Sequence, residues 1–172
     1  MKKITVIIFI VLIIALPVFA FNVDVTKVCF SPHGGCTEAI VDQIDNAKSE
    51  ILIQAYSFTS TPIAKALVNA HKRGIHVEII LDKSNKSKKY NAGDFTAHMG
   101  VTTYIDSRHA IAHNKIMIID KETIITGSFN FTKAAEEKNA ENLLIIKNKK
   151  LAETYIDNWS KHKAHSDRFE GR

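Results

Sequence analysis

A chain of 172 residues with 45% apolar and 24% charged side chains holds material for one compact core and not for two. It carries no low-complexity tract and no repeat at solenoid periods, which excludes linker-like and repeat architectures. The formal charge of +5 permits a polyanionic partner without demanding one.

The N-terminus stands apart. Lys2 and Lys3 precede an apolar run, Ile4 to Leu16, whose one polar residue is Thr5, followed by Pro17 and Val18-Phe19-Ala20. A basic start, a short apolar stretch and a small residue at its end read as a secretory signal peptide over residues 1–20, cleaved after Ala20. The protein is then periplasmic or secreted, with no stable membrane association after cleavage. The competing reading is a retained anchor over Ile4 to Phe21. Loss of residues 1–20 removes Lys2 and Lys3 and leaves 21 basic against 18 acidic residues, net +3. Residues 21–172 are expected to form a single domain.

Cys29 and Cys36 enclose the short segment CFSPHGGC. In an oxidising compartment a local disulfide between them is the favoured expectation. Two free thiols are the alternative, and a metal site of Cys29, His33 and Cys36 is a third that lacks a fourth ligand.

Residues 37–48 show Ile40, Ile44 and Ala47 at helical spacing, and Ile51 to Phe58 alternates as a strand. Ser60-Thr61-Pro62 reads as a helix start, and Gly74 as its stop. Ile75 to Leu81 is the next strand, so a parallel βαβ unit is expected. The polar stretch Asp82 to Gly93 follows, with Lys83, Lys86, Lys88 and Lys89. A weak helix near Asp94 to Met99 leads to strands at Val101–Ile105, Lys115–Ile119, Thr123–Thr126 and Asn142–Lys147. A last amphipathic helix spans about Leu151 to His162, and the polar tail beyond it reads as loose. The fold class is α/β: a mixed, mostly parallel sheet flanked by helices on both faces.

The chemistry lies in His113-Asn114-Lys115 and in Gly127-Ser128-Phe129-Asn130. A strand's side-chain period of two places His113 and Lys115 on one face, an imidazole beside an ammonium. Ser128 and Asn130 repeat that spacing with a hydroxyl and an amide. Such a set can orient and neutralise a phosphoryl group without a metal, and no cofactor or metal is expected. A lone His-x-Lys pair would be no more than the polar side of an edge strand. The whole string is more specific: HxK, four residues, Asp120, six residues, then GSxN.

That string resembles the signature of the phospholipase D superfamily at His113, Lys115, Asp120, Gly127, Ser128 and Asn130. Tyr56–Phe58, Lys72-Arg73-Gly74 and the segment Gly127 to Asn142 resemble its small bacterial endonuclease branch, so residues 21–172 would be one phospholipase D-like domain. The resemblance implies two histidines, one attacking phosphorus to form a phosphohistidine and one serving as acid and base. It places His113, Lys115, Asp120 and Glu141 in the catalytic set, with His113 doing that chemistry, and assigns Lys115, Ser128 and Asn130 to phosphate binding. Asp120 falls at the strand end, facing away from His113 if the strand is regular, and is assigned hydrogen-bonding support. Glu141 matches the carboxylate that commonly orients the histidine, which would fix its tautomer.

The chain holds one such motif, since neither His98 nor His109 begins a second HxK string. A two-fold homodimer with a shared site would supply the second histidine. The expected activity is metal-independent hydrolysis of nucleic acid, DNA and potentially RNA, as a non-specific endonuclease. Lys83, Lys86, Lys88 and Lys89 are candidates for backbone contacts. A phospholipid phosphodiesterase is the alternative, and a non-catalytic nucleic-acid-binding module is disfavoured by the intact motif.

Overall fold

The computed structural model describes residues 23–86 and 92–172. The export segment expected over residues 1–20, and Lys88 and Lys89 of the basic stretch, lie outside the described residues. In chain order the elements are β1 (Asp24–Ser31), α1 (Cys36–Asn46), β2 (Glu50–Ala55), α2 (Thr61–Lys72) and β3 (His76–Asp82). A 3₁₀ turn (Lys83–Lys86), α3 (Ala92–His98), β4 (Thr102–Asp106), β5 (Lys115–Ile119) and β6 (Thr123–Gly127) follow. Then come α4 (Lys133–Glu137), β7 (Glu141–Lys147), α5 (Lys149–Lys163) and β8 (Asp167–Phe169).

One mixed sheet runs in the order β1-β7-β6-β5-β2-β3-β4-β8. The α/β class and the mixed sheet are as expected, but the balance is corrected from mostly parallel to mostly antiparallel. Among the described residues five of the seven pairings are antiparallel, and only β2–β3 and β3–β4 are parallel. Parallel neighbours need a long crossover, which α2 and α3 supply. β5 and β6 are joined by a tight turn in which Asp120 and Lys121 both have positive φ, 53° and 58°, and such a turn returns the chain antiparallel.

Alternation along the strands splits the core between two faces. Ile51, Ile53, Val77, Ile79 and Met117 join Ile40 and Ile44 of α1 and Ile63 and Leu67 of α2. Leu52, Ile80, Ile116, Ile118 and Ile124 meet Ala152 and Trp159 of α5 on the other face. Trp159 is anchored further, its indole N–H donating to the carbonyl of Ile53 at 2.9 Å. Helices therefore do cover both faces.

Three elements were absent from the sequence reading. β1 is an edge strand with only Cys29 and Ser31 turned inward, and its Val25, Val28 and Phe30 are exposed, so its apolar residues do not follow a buried-face alternation. α4 is five residues long, capped by the Thr132 hydroxyl accepting from the Ala135 N–H. The tail read as loose returns as β8, which pairs antiparallel with β4 and buries Phe169.

The expected Cys29–Cys36 bridge is not formed. Both are free, buried thiols, one reaching inward from β1 and the other opening α1. Burial and the adjacent Cys29 push the Cys36 thiol up to about 12, so it is held protonated and unreactive. The loop between them is fastened instead by Glu136, whose carboxylate accepts from Gly35 N at 3.0 Å and Thr37 N at 2.7 Å. That carboxylate does at the start of α1 what a capping side chain would do.

Candidate active site

β5 runs antiparallel to β2, with Lys115 opposite Ala55, so β5 begins at the edge where β2, β3 and β4 end. β6 returns antiparallel and finishes at that edge with Gly127, and β7 starts there with Glu141. Two hairpin reversals thus deliver HxK, GSxN and Glu141 to one place. They line an open pocket of about 350 Å³ formed by His113, Lys115, Gly127, Ser128, Asn130 and Glu141.

His113 is exposed, with the Tyr56 ring 4.6 Å away and tilted by 54°. Lys115 is only 7% exposed; its ammonium donates to the His113 carbonyl at 2.7 Å and lies 5.2 Å from the Tyr56 ring. Of three N–H donors one is so used, and the others are available to a phosphate oxygen. Burial lowers the Lys115 pKa from the ordinary lysine range, and the Glu141 carboxylate opposes that shift.

Gly127 could be no other residue without rearrangement. Its φ is +152°, and a Cβ there would stand 2.2 Å from the Asn142 carbonyl oxygen. That close approach lets Ser128 N and Phe129 N both donate to the same oxygen, at 3.1 and 3.2 Å. Asn142 N donates in turn to Ser128 Oγ at 3.1 Å, leaving the hydroxyl proton free to point elsewhere. Phe129 and Phe131 are buried, so the alternating Ser128 and Asn130 face outward into the pocket. Asn130 keeps a buried amide oxygen with no hydrogen-bond partner, and a turn of the amide presents its NH₂ instead.

Glu141 shares the pocket but does not hold His113. Its carboxylate accepts from Asn139 Nδ2 at 3.1 Å and serves as counter-charge to Lys115. Asp120 is separated from the other motif residues altogether. It sits at the far end of β5, where its carboxylate accepts from Lys48 N, Ser49 N, Ser49 Oγ and Glu50 N. Those bonds outweigh its burial and hold it below the usual carboxylate range. Grouping Asp120 with catalytic residues is corrected by this position; its expected supporting role agrees with it.

The loop that carries His113 is tied to successive strand ends. Ala112 N donates to Asp82 at the end of β3, at 2.8 Å, and Tyr56 N donates to the Asn114 carbonyl at 2.8 Å. Lys83, read as a backbone contact, donates its ammonium to the His109 carbonyl at 2.9 Å, while Lys86 is exposed. Tyr56, Asp82 and Asn142 were given no role from sequence. Tyr56 was visible in its YSF segment, whereas the other two act through contacts that only the folded sheet creates.

Residues 40–163 match the family described as cardiolipin synthase, PLD-like domain. The phospholipase D of Rickettsia conorii is 47% identical over 136 residues, which are 79% of this chain and 68% of that one. The chain belongs to the phospholipase D family. Among solved structures, Nuc from Salmonella typhimurium, a phospholipase D family member, has a TM-score of 0.83 at 39% identity. The match covers 87% of this chain and 100% of that one. A mitochondrial cardiolipin hydrolase of Mus musculus is 25% identical over 134 residues, 77% of this chain and 61% of that protein. As a phospholipase D family member the chain is a hydrolase of phosphodiester bonds, and its pocket holds the motif's His, Lys, Ser and Asn together.

Proposed function

We propose that this phosphodiesterase cleaves nucleic acid, DNA or RNA, without base preference. The observation that carries the reading is the pocket wall. Among the described residues it consists of polar side chains and one glycine, open to solvent, with donors for a phosphate and no apolar side chain for acyl chains to pack against. Lys86 stands exposed on the 3₁₀ turn that follows β3, at the same sheet edge, where a phosphate backbone could pass.

In the first step a nitrogen lone pair of one His113 attacks phosphorus. An N–P bond forms, the P–O bond to the leaving alkoxide breaks, and the second histidine gives that oxygen its proton. That histidine then takes a proton from water, whose oxygen attacks phosphorus and breaks the N–P bond. Lys115, Ser128 and Asn130 hold the non-bridging oxygens throughout. One chain brings one histidine to the pocket, so a second copy related by two-fold symmetry supplies the other. Exposed Phe30 and Ile111 support this: Phe30 pairs with Asn142, which holds Ser128, and Ile111 lies two residues before His113. Residues 1–20 direct export in this reading.

A second reading, phospholipid hydrolysis, is favoured by the relatives named phospholipase D and cardiolipin hydrolase. The test incubates the protein with plasmid, RNA and vesicles of cardiolipin or phosphatidylcholine, with His113→Ala as control. Strand cleavage lost in the variant supports the proposal. Release of phosphatidic acid with no strand cleavage overturns it in favour of the lipid.

A further inference from the structure

Away from the pocket, four side chains converge that the hydrolytic mechanism does not use. Asp106 ends β4 and is fully buried; His109 follows in the loop, His162 lies in the last turn of α5, and His165 comes just after it. His162 Nδ1 is 2.8 Å from Asp106 Oδ2, His109 Nδ1 is 2.9 Å from it, and His165 Nε2 is 3.4 Å away. The three rings lie 4.8 to 5.4 Å apart. One ligand atom from each residue falls within 4.8 Å of all the others. His165 Nε2 is buried and makes no aligned hydrogen bond, an orphan aimed at the centre of the group.

We infer that Asp106, His109, His162 and His165 form a structural site for one Zn²⁺ ion. Three imidazole nitrogens and one carboxylate oxygen make a four-ligand set for a borderline-soft ion, and nitrogen donors disfavour Mg²⁺ and Ca²⁺. A tetrahedral ion with bonds of 2.0–2.1 Å places its ligand atoms about 3.3 Å apart, within the spread seen here. His162 and His165 sit at the C-terminal end of α5, where the helix dipole adds favourable potential for a cation. The buried Asp106 carboxylate has Oδ2 2.8, 2.9 and 3.4 Å from nitrogens of His162, His109 and His165, so it already faces the centre of the group. Each imidazole would bind through the ring nitrogen that faces the carboxylate, as the tautomer with its proton on the other nitrogen.

The site has a place in the architecture. Residues 107–114 cross from β4 over the ends of β3 and β2 to β5 and carry His113. The ties at Asp82 and Tyr56 hold the second half of that loop. An ion on His109 fastens the first half to both β4 and α5. It is a clamp on the loop and takes no part in the chemistry, and the inference holds whichever phosphodiester is the substrate.

The test measures zinc in the full-length purified protein by plasma mass spectrometry, then strips and reloads it. One equivalent per chain is expected, with four-coordinate absorption bands when Co²⁺ replaces it. At free Zn²⁺ a hundred times Kd, the melting temperature of stripped protein should rise by roughly 5–10 °C. Hydrogen exchange across 107–114 should slow on loading. His165→Asn and His109→Asn should each weaken Zn²⁺ binding at least about 10-fold, whereas His76→Asn, an exposed histidine outside the group, should not. Failure to take up stoichiometric metal, or undiminished uptake in His109→Asn/His165→Asn, overturns the inference and marks the group as a hydrogen-bonded His–Asp network. Since metal content and melting are the readouts, loss of the nuclease reading would leave this result intact.

Discussion

Asp120 is the motif residue whose role the geometry decides most sharply, and its replacement separates support from chemistry. Five residues of β5 at about 3.3 Å each place it roughly 15–20 Å from the pocket. Its carboxylate accepts from three backbone N–H groups and the Ser49 hydroxyl at the entry to β2. At a half-exposed site each of the four bonds is worth about 0.5 kcal/mol, so together about 2 kcal/mol. Asp120 also holds a φ of 53°, which Ala tolerates less well, at a further cost of about 1 kcal/mol. Asp120→Ala should therefore lose about 3 kcal/mol, equivalent to roughly 6–12 °C in melting temperature for a domain of this size. Asp120→Asn keeps one acceptor and tolerates the turn, and should lose about 1 kcal/mol. The charge gives a second signature. With its folded pKa below the unfolded one, Asp120 stabilises the protein above the unfolded value, near 4, and that contribution fades as pH falls through the folded value. The gap in stability between wild type and Asp120→Asn should be full above about pH 5 and narrow below about pH 4. Differential scanning calorimetry across pH, paired with kcat on a chromogenic phosphodiester at 20 °C, reads both. An Asp120→Asn protein with unchanged melting but kcat down about 100-fold would place Asp120 in the chemistry and refute this reasoning.

Other outcomes follow from the same structure. Gly127→Ala should lower stability by about 3 kcal/mol or more, because its Cβ meets the Asn142 carbonyl at 2.2 Å; wild-type melting would contradict that. His113→Ala should reduce kcat at least about 1000-fold while a labelled oligonucleotide still binds by anisotropy, since Lys115, Ser128 and Asn130 remain. Brief chelator treatment well below the unfolding temperature should leave the initial rate within about 3-fold, since none of the pocket's side chains needs a metal to hold a phosphate; complete loss restored by Mg²⁺ would refute the mechanism. Excess His113→Ala subunits exchanged into wild type should suppress activity beyond simple dilution, and heterodimers at half the wild-type rate would defeat the shared site.

What could be read in advance depended on how local each signal was. His113, Lys115, Ser128 and Asn130 follow period-two spacing, and two hairpins bring them together, so short-range pattern sufficed. The βαβ unit was legible from Ser60-Thr61-Pro62 and Gly74, which mark α2 at both ends. The balance of the sheet was not, because β1, whose apolar residues follow no buried-face alternation, and β8, with little apolar signal, are edge strands that join partners far away in sequence. Glu141 was expected on His113 because a motif records which residues share a pocket and not which of them touch.

The Asp106 group shows the same limit from the other side. Asp106-Ser-Arg-His109 and His162-Lys-Ala-His165 are each a pair of ligand-type residues three apart, and each alone is unremarkable on a loop or a helix end. They become one site because β4 ends where α5 finishes, a contact set by the apolar stripe of α5 on the sheet: Ala152 and Trp159 against Leu52 and Ile80. The same packing brings Lys163 of α5 to the buried Glu78 of β3 at 2.7 Å, fixing the helix along its length. The seating of α5 therefore decides the shape of the corner from which the catalytic loop departs. A motif search centred on His113 stops at the residues that touch phosphate. The position of His113 itself is set further back, by acids at the ends of two strands, Asp82 and Asp106, that bind the loop carrying it.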